Sequence, residues 1–120
     1  MKNNLYDLKY KATKNNTLIL LEEYKYKGIT VPEGFETNGA DIPQVFWSFG
    51  YPPFEPKFLP AVVVHDYLIK KREIDFANYF YEEIMLEIED NRKTKKMIKA
   101  VKMYWKYRKI KSKIKEKLWH

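Results

Sequence analysis

The sequence predicts an α+β fold in which a small antiparallel β-sheet is followed by three α-helices, the last of them long and basic. Short segments of partly alternating apolar residues occur up to residue 37, whereas apolar residues at helical spacing dominate from residue 57. A length of 120 residues suits one domain with one modest core. An apolar content of 45% excludes a disordered chain. We therefore predict a single domain over 1–120, mainly β over 5–37 and mainly helical over 57–118.

Extended segments in the first part of the chain are predicted at 5–13, 17–27, 29–31 and 35–37. The first two should pair as a hairpin, because Asn15 and Asn16 lie between them and asparagine tolerates a left-handed backbone. Gly28 ends the second segment. Pro32 stops the third, because proline has no amide hydrogen to donate to a β-ladder.

Helices are predicted at 57–70, 72–90 and 94–118. A further short helix should begin near Asp41, whose carboxylate can accept the free amides of a first turn, and run through Ser48. Pro52, Pro53 and Pro56 then exclude regular structure, because proline removes amide donors. This part of the chain is expected to form a structured, aromatic-rich loop.

Positive charge is concentrated at the C-terminal end. Residues 92–120 carry 13 Lys or Arg and one acid, a net charge of +12, whereas residues 1–91 carry 10 Lys or Arg and 15 acids, a net charge of −5. The two values sum to the +7 of the whole chain. The basic segment is therefore expected to fold against the acidic body, to be a solvated helix, or to contact a polyanion such as nucleic acid or an acidic membrane.

Two apolar stripes follow the third helix. The first consists of Met97, Ile98, Val101, Tyr104 and Trp105, and the second of Met103, Tyr107, Ile110, Ile114 and Leu118. At ~100° per residue the second stripe is rotated by roughly 140° from the first, so one straight helix cannot bury both against one surface. Either the helix bends near Trp105, or residues 107–118 pack on another molecule, including a second copy of the chain.

Composition excludes several functional classes. The chain has no cysteine, so disulfides, thiolate zinc sites and cysteine nucleophiles are absent. Neither serine lies in a nucleophile-elbow sequence, and the four glycines do not cluster into a phosphate-binding loop. No stretch is apolar enough to span a membrane, and the N-terminus lacks the apolar run of a signal peptide. We predict no metal site and no cofactor, although a divalent cation is compatible with Asp66.

One polar pair interrupts an apolar run. His65 and Asp66 follow three valines, and His65 is the only histidine besides the last residue. An antiparallel pair of helices joined near Lys71 would bring Asp75 to the level of His65, so that a carboxylate orients an imidazole that activates water. His65, Asp66 and Asp75 are therefore the candidate catalytic residues. The alternative is a buried structural network that ties two helices to the turn at Asn38–Asp41.

Three motifs in order resemble a known family. They are the Val-Pro-Glu-Gly-Phe-Glu-Thr-Asn-Gly-Ala-Asp-Ile-Pro stretch at 31–43, the Val-His-Asp-Tyr-Leu run within 61–68, and Ile-Asp-Phe-Ala at 74–77. Together they are similar to the domain-of-unknown-function 1353 family of small bacterial and tailed-phage proteins, over about residues 17–105. Asn38 stands where the family tends to have Asp, and Asp41 where it tends to have Ser. The resemblance implies a phage or prophage accessory protein and no settled activity.

The favoured function is binding, as a virion-associated component or as a factor that engages a host or phage protein or nucleic acid. The alternative is a small hydrolase with His65 as the base, distantly similar to phospholipases A2 in its His-Asp pair on a helix. The candidate binding residues are Asn38, Asp41, Tyr107, Lys109 and Lys113. We expect the protein in the host cytoplasm or in the virion, without secretion by a signal peptide.

Overall fold

A computed structural model describes residues 5–38 and 55–119 of the chain, with side chains as far as Lys117. The strands are β1 (Tyr10–Ala12), β2 (Leu18–Leu20), β3 (Tyr24–Tyr26), β4 (Ile29–Val31) and β5 (Glu36–Thr37). The helices are α1 (Leu59–Lys70), α2 (Ile74–Ile88) and α3 (Arg92–Trp119), and a 3₁₀ turn at Pro56–Phe58 precedes α1. The predicted α+β class, with short antiparallel strands and then three helices, is confirmed. The helix and loop predicted between Asp41 and Pro53 lie outside the described residues.

The strands form two antiparallel sheets where the sequence predicted one. β2 lies between β1 and β5 in the first sheet, and β3 pairs with β4 in the second. The predicted strand 17–27 is divided by a bend at residues 21–23, where Leu21 is exposed. Tyr24 and Tyr26, which point to one side of β3, are thereby buried in the core.

The predicted hairpin turn between β1 and β2 is confirmed. The amide of Thr13 donates to the carbonyl of Thr17 at 2.9 Å, and the two threonine hydroxyls lie 2.6 Å apart. Asn16 adopts φ 61°, the left-handed conformation for which asparagine is suited. This turn fixes the register in which Tyr10 pairs with Leu20.

The central helix of the domain is α1, which packs against α2 and β4. Nine of its residues are buried, as expected for a helix that is apolar on nearly all sides. It ends where the amide of Glu73 donates to the carbonyl of Leu68 and that of Arg72 donates to Ile69, both at 2.9 Å. Arg72 takes a left-handed φ of 62° in this motif, a position that glycine usually occupies.

α3 is one uninterrupted helix that buries or half-buries its first stripe and leaves the second exposed, as far as the side chains are described. Met97, Ile98 and Val101 are at most 3% exposed and join the core against α2. Every described side chain from Ile110 to Lys117 is exposed. The prediction that one surface cannot bury both stripes is therefore confirmed, without a break in the helix. Within the described residues, no helix combines the length and the apolar character needed to cross a bilayer.

Candidate functional site

His65 lies at the junction of the three helices and is completely buried. Its Nε2 is 3.3 Å from Oδ1 of Asn78 on α2. Its ring packs edgewise against Tyr81 of α2 and Trp105 of α3, with ring centroids 5.1 and 6.1 Å away. The imidazole therefore joins three helices in the interior of the domain.

The surroundings of His65 favour its neutral form. Nδ2 of Asn78 donates to the carbonyl of Lys102 at 3.4 Å, so Oδ1 of Asn78 is left to accept the proton of His65 Nε2. Nδ1 of His65 is then an acceptor, and it has no hydrogen-bond partner among the described residues. Burial lowers the pKa of His65 to about 4, and the hydrogen bond to Asn78 opposes this only in part.

The side chain of Asp66 is 3% exposed and connects α1 with β5 through Lys70. Nζ of Lys70 lies 3.3 Å from Oδ2 of Asp66, and it donates to the carbonyl of Glu36 at 3.1 Å. The same ammonium lies 5.0 Å from the centre of the Phe35 ring. Oδ2 of Asp66 has the charge of Lys70 nearby but no hydrogen bond, because the ion pair lacks hydrogen-bond geometry. The ammonium group of Lys70 thus supplies the positive charge that a bound cation would otherwise provide to Asp66.

The predicted pairing of Asp75 with His65 is wrong. The Asp75 side chain is 70% exposed, and its Oδ2 accepts a hydrogen bond from Nζ of Lys109 at 2.7 Å. The hydrogen bond and charge of Lys109 hold the pKa of Asp75 below its usual range. Because α2 begins only at Ile74, the residue that faces His65 is Asn78, about one turn further along.

Asn78 is the site residue that sequence reasoning missed. It is 5% exposed and lies three positions before Tyr81 and seven before Met85, both of which are buried on the same face of α2. Spacings of three and seven residues place side chains on one side of a helix. That spacing could have identified Asn78 as a buried polar partner.

The predicted binding residues are distributed over different surfaces. Lys109 and Lys113 line an open groove of about 720 Å³ between the start of α2 and α3, together with Phe76 and Trp105. Tyr107 is 60% exposed outside that groove. Asn38 is exposed directly after β5, and Asp41 lies outside the described residues. The structure thus brings together Lys109, Lys113 and Asp75, but not these residues with His65.

The described residues also define the chemistry available at the site. Nowhere in 5–38 or 55–119 do three His, Asp or Glu side chains cluster closely enough to hold a metal ion. A general base must lie within hydrogen-bond reach of the substrate proton that it takes. His65 presents its Nε2 to Asn78 instead, so this part of the molecule is built as a packed polar junction.

Most of the chain matches one known protein family. A sequence profile described as "Protein of unknown function (DUF1353)" matches residues 15–106, which is more than three quarters of the chain. The chain belongs to the DUF1353 family. The matched segment of this DUF1353 protein contains His65, Asp66, Asn78 and the buried stripe of α3, and it ends just before Tyr107.

A curated relative is similar to a shorter part of this DUF1353 protein. It is "Uncharacterized protein y4jT" of Sinorhizobium fredii (strain NBRC 101917 / NGR234), which is 48% identical over 42 residues. The similar segment covers 35% of this chain and 12% of the relative. No solved structure matches the chain.

Substitution of Asp66 by Asn in this DUF1353 protein should leave the fold intact and raise its free energy of unfolding by about 1 kcal/mol. The buried Oδ2 carries charge without a hydrogen bond, and the exposed Lys70 can keep its bond to Glu36. Urea unfolding of D66N beside the parent chain measures the change. Lys70→Met is the matched control, and it should destabilise because it leaves the buried carboxylate without its counter-charge. A strong loss of stability in D66N would show that the carboxylate is well compensated.

Proposed function

We propose that this chain is a small phage or prophage accessory protein that acts by binding another macromolecule through the second half of α3. The observation that carries the proposal is a row of exposed apolar side chains on that helix. Met103, Tyr107, Ile110 and Ile114 are 61, 60, 57 and 53% exposed. The phage setting rests on the resemblance of the three motifs described above.

The exposed row is continuous along the helix. Its members follow one another at spacings of four, three and four residues, which places them on one side of α3. Single exposed apolar residues are normal on a protein surface, but a contiguous apolar row indicates a contact surface. A projecting helix without tertiary packing is also marginally stable in water. A partner that covers the row would therefore stabilise this half of α3.

The environment of His65 supports binding over the hydrolase alternative. A catalytic imidazole needs access to substrate and a pKa near the working pH. His65 is fully buried, its Nε2 is engaged by Asn78, and its pKa is lowered to about 4 by burial. Lys70 pairs with Asp66, the carboxylate that would hold calcium in a phospholipase-like arrangement.

Site-specific photo-crosslinking in cells that carry the gene tests the proposal. A benzophenone amino acid placed at Tyr107 should crosslink to one discrete partner that mass spectrometry identifies. Tyr79 on α2 is the matched control position, because it is a tyrosine with nearly the same exposure, 59% against 60%. We expect no discrete product from position 79, and loss of the product from position 107 when Ile110 and Ile114 are both replaced by Ser.

Two results would contradict the proposal. One is the same set of diffuse products from positions 107 and 79. The other is hydrolysis of phospholipid vesicles by the purified chain, with or without calcium, that disappears in His65→Gln while the variant stays folded.

A further inference from the structure

The exposed row on α3 has the spacing of a coiled-coil seam. Met103, Tyr107, Ile110 and Ile114 occupy alternating d and a positions of a heptad, and the half-buried Ala100 extends it by one a position. At ~100° per residue the four exposed side chains fall within roughly 60° of the helix circumference. This is the narrow stripe of a helix that packs against another helix. A helix that lies in a lipid surface presents a broader apolar face.

The charges beside the seam are all of one sign. Lys106 and Lys113 take the g positions, and Lys111 takes an e position, where side chains meet those of a partner helix. None of the three makes a direct ion pair within the described part of the chain, although the charges of Lys106 and Lys113 contribute to the lowered pKa of Asp75. The direct partners on α2 belong to other lysines, since Lys102 pairs with Glu82 and Lys109 with Asp75. Residues 103–117 hold seven Lys or Arg and one Glu, a net charge of +6.

This pattern disfavours a second copy of the chain as the occupant. In a parallel pair, g residues meet e residues, and in an antiparallel pair g meets g and e meets e. A parallel pair brings Lys106 against Lys111 of the other copy, and an antiparallel pair brings Lys106 against Lys113. In both orientations like charges repel across the seam. A partner helix with acidic residues in the corresponding positions would instead form salt bridges on both sides of the seam.

A shallow groove continues the seam onto the body of the domain. It has a volume of about 350 Å³ and lies between α2 and α3, where Leu86, Ile98 and Met103 form its apolar floor. Four lysines, at positions 95, 99, 102 and 106, rim the groove with a single acid, Glu82. The groove therefore has the same combination of an apolar centre and a basic border as the projecting part of α3.

From these observations we infer that the partner contacts this chain through an acidic amphipathic helix, which packs along α3 from the groove at Met103 to Ile114. The apolar face of that helix covers the seam, and its Glu or Asp side chains pair with Lys106, Lys111 and Lys113. The inference rests on the proposed binding function and specifies the chemistry of the partner.

The test uses two synthetic peptides of four heptads with the same Ile and Leu core. The acidic peptide carries Glu at all e and g positions, and the basic peptide carries Lys there. The full-length chain should bind the acidic peptide at least roughly tenfold more tightly by fluorescence anisotropy, with an affinity that falls as salt increases. Replacing Lys106, Lys111 and Lys113 by Glu should invert the preference between the peptides. Replacing Ile110 and Ile114 by Ser should abolish binding of both.

A second triple variant controls for net charge. Lys11, Lys14 and Lys25 are exposed residues of the β-region, so their replacement by Glu changes the net charge equally, far from the seam along the chain. This variant should keep the parent preference for the acidic peptide. If it loses that preference as fully as the α3 variant does, the attraction is a general charge effect and the inference is overturned.

Other occupants give different results. A dimer in sedimentation equilibrium that Ile110→Ser and Ile114→Ser dissociate would assign the seam to a second copy and overturn the inference. Tighter binding to vesicles of anionic phospholipid than to the acidic peptide would assign the seam to a membrane surface and would also overturn the inference.

The two experiments together separate the inference from the proposed function. If crosslinking from Tyr107 succeeds in cells but neither peptide binds, the partner chemistry is wrong while the proposed binding function stands. If the acidic peptide binds but no discrete crosslink forms, the proposed function fails instead.

Discussion

Acidification should destabilise the folded protein between about pH 6.5 and pH 4, by on the order of 3 kcal/mol from His65 alone. Above pH 6.5 the imidazole is neutral in both the folded and the unfolded chain, so the contribution of His65 to stability is fully present. As the pH falls below 6.5, the unfolded chain takes up a proton on His65, but the folded chain does not, because burial lowers its pKa to about 4. Stability is therefore lost across this interval, and the loss from His65 ends below pH 4.

Urea unfolding at a series of pH values measures this dependence, and His65→Gln is the matched variant. The Gln amide can still donate to Oδ1 of Asn78 but does not titrate in this range. Tyr81 and Trp105, which pack against the imidazole, carry no charge at acidic pH, and burial raises the pKa of Tyr81 further. The difference between the two stability curves thus isolates His65.

We expect the parent chain to lose stability more steeply than H65Q between pH 6.5 and 4, with parallel curves above pH 7. Parallel curves throughout would show that His65 titrates normally in the folded state. The imidazole would then be accessible to water. The main objection to His65 as the general base of a hydrolase would no longer hold.

The order of the elements could be predicted because local patterns determine it. The turn at 13–16 needed a residue that accepts a left-handed backbone, and Asn16 supplies it. The division of α3 into a buried and an exposed stripe also followed from spacing alone, because the angle between the stripes is a property of the helix. These features depend on residues that are close in sequence.

The start of α2 could not be predicted because the glycine that usually marks the end of the preceding helix is missing. The motif that ends α1 usually has glycine in the left-handed position, and here Arg72 occupies it. The predicted start at residue 72 was therefore two residues too early. Because the helix begins later than predicted, the residue level with His65 lies about one turn further along α2, and Asn78 is found where Asp75 was expected.

The split of the predicted strand 17–27 has a similar cause. Alternation of apolar residues shows which side chains share one face of a strand, but not whether two parts of the strand face the same surface. Leu20 belongs to the sheet with β5, and Tyr24 to the sheet with β4. Only the packing against the helices determines where the chain bends between them.

Replacement of Trp105 by Ala should destabilise the domain by about 2–3 kcal/mol. This is at or below the lower end of the values for fully buried large aromatics, because the ring is half-buried. The indole packs on the imidazole of His65, on the ring of Tyr104 and beneath the guanidinium of Arg108. Thermal and urea unfolding of W105A beside the parent chain measures the loss. Tyr107→Ala, two positions further on the exposed side, is the matched control and should change stability by less than about 0.5 kcal/mol.

Truncation after Lys109 should leave a folded domain with nearly the parent stability. Lys109 keeps its bond to Asp75, and every described side chain beyond it is exposed. The truncated chain should therefore show a free energy of unfolding within about 1 kcal/mol of the parent while losing the crosslink at Tyr107 and the binding of the acidic peptide. If truncation instead destabilises the domain as much as W105A does, the second half of α3 supports the core. Loss of the crosslink and of peptide binding in the truncated chain could then result from a damaged fold. It could no longer be assigned to removal of the contact surface.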